Sequence, residues 1–125
     1  MFNTVVIDLD NTITDFENCP HKDKCNYSLY PDEIHLHRDL CPVNRDAKYY
    51  MESIKDLGLE IVIFTSRVTR ERPATIRWLR KHRIPFDEIV FNKPRGFMYI
   101  DDLGERFDGN WEKMYKKIEK HYNGD

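Results

Sequence analysis

The chain has 125 residues, of which 40% are apolar and 34% charged, with a formal net charge of −2. One domain over residues 1–125 fits that length and buries a real core; the composition excludes a disordered or membrane-embedded chain. A slightly acidic balance disfavours, without excluding, a protein whose main work is gripping nucleic acid.

The first element is an apolar run at 4–9, Thr-Val-Val-Ile-Asp-Leu, which reads as a β-strand. A polar stretch over 15–44 follows. It holds Pro20, Pro31 and Pro42 and shows no clean period. At about thirty residues it is too long for a plain connection, so it is expected to be a functional insertion, a lid or cap. Next, Ala47, Tyr50, Met51, Ile54 and Leu57 form a helical stripe, with Gly58 as its stop signal. Glu60–Phe64 is almost continuously apolar, as expected of a strand covered on both faces. A second helix begins near Pro73 and carries Ile76, Trp78 and Leu79. Two more strands are expected at 88–91 and 97–100. Trp111, Met114, Tyr115 and Ile118, spaced i, i+3, i+4 and i+7, mark a third helix, on which Lys113, Lys116, Lys117 and Lys120 read as a solvated face. Strands alternating with helices imply an α/β domain, a parallel sheet with helices on both faces.

No apolar run approaches the roughly 20 residues that span a bilayer. The first ten residues carry two aspartates and no Lys or Arg, the wrong pattern for a secretory signal. The expected compartment is the cytoplasm, with no membrane partner. Three cysteines, an odd number, argue against a disulfide framework there.

Chemistry concentrates at the strand ends, where open parallel sheets bind ligands. The first strand runs into Asp8 and Asp10, two residues apart and able to flank one ligand. Taken alone, such a pair is also ordinary turn chemistry. The second strand ends in Thr65 and Ser66, whose hydroxyls and backbone N–H groups suit phosphate oxygens; alone they would read as a helix cap. Lys93 falls between the third and fourth strands. The fourth ends in Asp101 and Asp102, adjacent acids that repel unless a cation sits nearby, and Mg²⁺ prefers such oxygens.

In order and spacing these residues resemble the haloacid dehalogenase superfamily. Asp8-Leu9-Asp10-Asn11-Thr12 matches its Asp-x-Asp-x-Thr signature, Thr65 its second motif, Lys93 its third, and Asp101-Asp102 its fourth. The stretch from Asp101 through Arg106 and Phe107 to Trp111 looks like small phage and bacterial members. The resemblance implies a Rossmann-like sheet in strand order 4-1-2-3, with a small cap inserted after strand 1. It implies a Mg²⁺-dependent phosphatase acting on a small phosphorylated substrate. Asp8 would be the nucleophile and Asp10 the general acid and base. Thr12, Thr65, Ser66 and Lys93 would hold phosphate, and Asp8, Asp10, Asp101 and Asp102 the cation. Members that act as dehalogenases lack the second aspartate, so Asp10 favours phosphate chemistry.

Two rival readings stand beside it. A non-catalytic phosphate- or metal-binding domain could keep this scaffold, although such domains usually lose an acid. A phosphatase acting on nucleic-acid 3′ ends would use Arg67, Arg70, Arg72 and Arg77, which otherwise form a solvated basic face. No Gly-rich kinase loop of the Walker type is present.

The insertion holds all three cysteines, Cys19, Cys25 and Cys41, and His21, His35 and His37. A structural Zn²⁺ on Cys19, Cys25, Cys41 and one of His35 or His37 would give a core-poor segment its order. The five residues between Cys19 and Cys25 exceed the usual spacing of two to four. The competing reading is unpaired thiols and loop histidines.

Overall fold

The computed structural model describes residues 3–20 and 41–124. The domain is α/β. Strands β1 (Thr4–Asp8), β2 (Glu60–Phe64) and β3 (Glu88–Val90) form a parallel three-stranded sheet in the order β1-β2-β3. Parallel neighbours need long crossovers. Helix α1 (Ala47–Asp56) lies in the crossover from β1 to β2, α2 (Arg72–Lys81) in the next, and α3 (Trp111–Tyr122) follows β3.

The register explains the core. Ile7, Ile63 and Ile89 are aligned across the three strands and all are buried. With Ile61 they form one apolar cluster with Met51 and Ile54 of α1, Leu79 of α2 and Trp111 of α3. Fully burying a side chain of that size stabilises the fold by about 1.5–3 kcal/mol.

The opposite face carries Val6 beside Val62, and Asp8 beside Phe64 and Val90. It is open at Val6, 60% exposed, and at Val90, 39% exposed. Helix cover on both faces is the expectation; at these two residues no helix among the described residues covers the second face.

The helix signals act as read. Gly58, at φ +88°, takes the left-handed conformation that ends α1. Pro73 stands in the first turn of α2. The Asn110 side-chain oxygen caps α3 by accepting the Lys113 N–H at 3.0 Å.

The segment at 97–100 differs from expectation, because it is not a strand of this sheet. Phe97, Met98, Tyr99 and Ile100 are all exposed. Pro94 and Gly96 precede the segment, and the Tyr99 hydroxyl donates back to the Pro94 carbonyl. Strand order 4-1-2-3 is therefore not what the described residues form.

The insertion is described only at its two ends. There Thr14 and Val43 form an antiparallel bridge, and the Asp15 N–H donates to the Pro42 carbonyl at 2.9 Å. Chain entering the insertion thus runs beside chain leaving it. The rest, with Cys25, His35 and His37, lies outside the described residues.

Candidate active site

Asp8 is the last residue of β1. The chain then turns tightly: the N–H groups of Thr12, Ile13 and Thr14 all point to the Leu9 carbonyl at 2.9–3.3 Å. Asn11 takes φ +60°, which its short polar side chain tolerates, and its N–H donates to Thr14 Oγ1 at 2.9 Å. Leu9, Ile13 and Thr14 are fully buried beneath the turn. From α3, Trp111 Nε1 donates to the Thr12 carbonyl at 3.1 Å. Apolar anchoring from below thus leaves Asp8, Asp10 and Thr12 at the sheet's carboxyl edge.

Thr65 follows β2 and is 1% exposed. Its N–H donates to the Val90 carbonyl and its carbonyl accepts the Lys93 N–H, both at 2.9 Å. The end of β2 and the segment after β3 are thereby joined. Lys93 reaches over the open face: its ammonium stands 3.9 Å from Asp8 Oδ1, 5.5 Å from the Phe64 ring centroid and 4.5 Å from that of Tyr99. Thr12 Oγ1 donates to the other Asp8 oxygen at 3.4 Å. Burial pushes the Asp8 carboxyl above its ordinary value; Lys93 opposes the rise and the nearby Asp10 charge adds to it.

Asp10 is held by Arg67. Arg67 Nε lies 3.2 and 3.0 Å from the two Asp10 oxygens, and Nη2 closes a second bond to Oδ1. The guanidinium is buried and also donates from Nη1 to Thr75 Oγ1 at 3.1 Å. Burial alone would lower its affinity for a proton, but Asp10 and then Glu71 more than offset that, and it stays above its ordinary value. Sequence reasoning grouped Arg67 with the basic residues of the following helix. Its usable signal was position: it is the first cation past the Thr65-Ser66 strand end, where a carboxylate from β1 must be met.

The structure therefore brings Asp8, Asp10, Thr12, Thr65 and Lys93 to one edge. Ser66 lies beside them, partly buried. It does not bring Asp101 and Asp102 in. Both are exposed, and Asp101 accepts the Leu103 N–H of its own loop at 2.9 Å. Among the described residues, no group of three or more His, Cys, Asp or Glu side chains is gathered as a metal site. Asp8 supplies hard carboxylate oxygens, a donor chemistry that fits Mg²⁺, while the Asp10 carboxylate is taken up by Arg67. Of the cysteine cluster, Cys19 and Cys41 are both buried, with their sulfurs 3.4 Å apart.

No protein-family model matches the chain, and no curated protein does. Among solved structures it is similar to the crystal structure of a structural-genomics target from Vibrio cholerae. Identity is 25%, the match covers 94% of this chain and 99% of that one, and the TM-score is 0.60. The likeness supports the α/β fold. Among the described residues, no helix is long and apolar enough to cross a membrane.

Proposed function

We propose that the protein is a Mg²⁺-dependent phosphatase of the haloacid dehalogenase type, hydrolysing a small phosphomonoester in the cytoplasm. The observation that carries this reading is Lys93 beside Asp8, at a sheet edge that also holds Asp10 and Thr65. A cation poised over one carboxylate, with a second carboxylate within Coulomb reach, suits an attack on a phosphoryl group.

Asp8 attacks phosphorus in line. A bond forms from its carboxylate oxygen to phosphorus, and the ester P–O bond breaks. Asp10 delivers a proton to the departing oxygen, then takes one from the water that attacks the aspartyl-phosphate. That second attack breaks the acyl P–O bond, restores the Asp8 carboxylate and releases phosphate. Lys93, Thr65, Ser66 and Thr12 hold the phosphoryl oxygens and spread their charge. Asp8, the backbone carbonyl of Asp10, Asp101 and Asp102 would hold Mg²⁺, which would supply charge screening between the anionic nucleophile and the anionic substrate.

Gathering all four acids requires residues 97–100 to lie along β1 as a fourth strand, in the order 4-1-2-3. Two features support this. The outer edge of β1 has no strand neighbour among the described residues, and Tyr99 already lies against Lys93, the cation next to Asp8 at the end of β1. The insertion, beginning just after the Asp8 turn, would serve as the cap that restricts the substrate to a small molecule. Cys19 and Cys41, in contact at its base, would contribute to a structural Zn²⁺ site with Cys25 and His35 or His37.

A second reading keeps the chemistry and changes the substrate to a nucleic-acid 3′ end. It is favoured by the exposed cations Arg70, Arg72, Arg77 and Arg80 on and just before α2, a helix that starts at the active edge. The deciding experiment is a phosphate-release screen over nucleotides, sugar phosphates and 3′-phosphorylated oligonucleotides, with Mg²⁺ and with chelator. Release from small esters only with Mg²⁺ supports the first reading, and a strong preference for the oligonucleotide supports the second. Inactivity on all of them would favour a binding domain.

A further inference from the structure

Arg67 is unusual for a charged side chain. It is 1% exposed, yet it lies one residue beyond the strand-end pair Thr65-Ser66. Burying a guanidinium is costly unless its donors are met by charge and hydrogen bonds. Here they are met. Nε and Nη2 grip both oxygens of Asp10, and Nη1 donates to Thr75 Oγ1 at 3.1 Å. Its backbone is fixed as firmly. The Arg67 N–H donates to Thr65 Oγ1 at 3.1 Å, and its carbonyl accepts the Asn92 N–H at 2.9 Å. One residue therefore joins the turn after β1, the end of β2, helix α2 and the segment after β3.

We infer that Arg67 is a positioning residue, whose planar fork sets the direction in which the Asp10 carboxylate points. The need for such a device is local. β1 ends at Asp8, and Asp10 sits in a turn whose N–H groups converge on Leu9, so those backbone bonds set the Asp10 main chain and not the direction of its carboxylate. A two-point guanidinium–carboxylate contact sets that direction, whereas a lysine would supply charge without it. A proton donor misdirected by even an ångström loses much of its contribution. In this scheme Arg67 acts on neither the phosphoryl group nor the Asp8 nucleophile; it acts through Asp10. The inference rests on the phosphatase reading for its consequence in catalysis, and on the geometry alone for the clamp.

The test uses Arg67→Lys and Arg67→Gln, each alone and combined with Asp10→Asn, with Thr75→Val as a milder variant that removes only the Nη1 contact. The main readout is kcat/KM, with Mg²⁺, for two esters: an alkyl phosphate, whose leaving oxygen needs a proton, and a nitrophenyl phosphate, whose leaving oxygen does not. Arg67→Lys should lower kcat/KM about 100-fold on the alkyl ester, the scale of lost general-acid help, and by less than about 5-fold on the nitrophenyl ester, where that help is not needed. Thr75→Val should show the same skew, smaller. In the Asp10→Asn background, Arg67→Lys should add no further loss on the alkyl ester. An equal fall on both esters, as a merely structural role requires, overturns the proposal. Urea unfolding midpoints of Arg67→Gln, Asp10→Asn and the double variant give a readout that needs no activity. The double variant should be no less stable than the worse single one. Additive midpoints in an active enzyme sink the clamp and leave the phosphatase standing. Coupled midpoints in a protein inactive on every phosphate sink the phosphatase reading, and the catalytic consequence of the clamp with it.

Discussion

The Lys93 ammonium stands 3.9 Å from Asp8 Oδ1, although one residue follows the third strand and the other ends the first. The contact depends on the Thr65 carbonyl, which accepts the Lys93 N–H and so fixes where that side chain starts. If Lys93 steadies the phosphoryl group, Lys93→Met should lower kcat for phosphate release by about 10²–10³-fold, the scale of losing one preorganised charge. Steady-state kinetics on nitrophenyl phosphate checks this. Wild-type turnover in the variant would remove Lys93 from the site.

Asp8 should trade stability for function. Burial raises its carboxyl above the ordinary value of 3.8, so the native state holds more protons than the unfolded chain just above that pH. Its ionisation therefore destabilises the fold as pH rises through that window. Asp8→Asn, neutral and of the same shape, should melt higher than wild type at neutral pH while turnover is lost. The gain should vanish in acid below the ordinary carboxylate range. Melting curves across pH decide it; a variant less stable at neutral pH would show that Asp8 is held by attraction instead.

Asp87 has the opposite sign. The Lys55 ammonium, at 2.6 Å, and the Ile61 N–H, at 2.8 Å, hold its carboxyl below the ordinary value. Its contribution is present above the ordinary carboxylate range and is lost as pH falls through the depressed value. The Asp87 side chain is 39% exposed, so water and salt weaken the pair. Asp87→Ala should cost about 1 kcal/mol at neutral pH, mostly through the Ile61 N–H, and almost nothing in strong acid. Urea midpoints at the two pH values measure the difference.

Trp78 ties α2 to the base of the insertion. Its indole N–H donates to the Cys41 carbonyl at 2.8 Å, and both residues are buried. Trp78→Phe keeps most of the apolar volume but orphans that carbonyl, at a cost of about 1–3 kcal/mol. Denaturant unfolding would show it, and an unchanged midpoint would mean that another donor replaces the indole.

The cysteine pair gives a metal prediction. Protein purified without chelator should carry about one zinc per chain, as a closed tetrahedral structural site implies. Cys41→Ser should lose it. Zinc-free protein would mean that Cys19 and Cys41 pack simply as small apolar groups, 3.4 Å apart.

Much of the fold was readable because its signals are local. The almost continuously apolar run Glu60–Phe64 is β2, residue for residue, and the stripe from Ala47 to Ile54 is the buried side of α1. Gly58 and Pro73 punctuate the helices as their backbone chemistry requires. Residues 97–100 are exposed and outside the three-stranded sheet, and an apolar run shows a wish for burial, not the neighbour that provides it; pairing with β1 is a long-range contact. The same limit hid Arg67. It lies 57 positions after Asp10, and no local pattern links them. Asp8 and Lys93 were named for their motif positions, while their approach across the sheet edge needed the fold.

The central claim is that Asp8 becomes phosphorylated. The most direct measurement is acid quenching of the protein during turnover of nitrophenyl phosphate with Mg²⁺, followed by mass analysis of the peptide containing Asp8. The account predicts one added phosphoryl group on that peptide, absent in Asp8→Asn and absent when Mg²⁺ is chelated. Steady phosphate release from wild type with no phosphoryl group on Asp8, and undiminished release from Asp8→Asn, would contradict it.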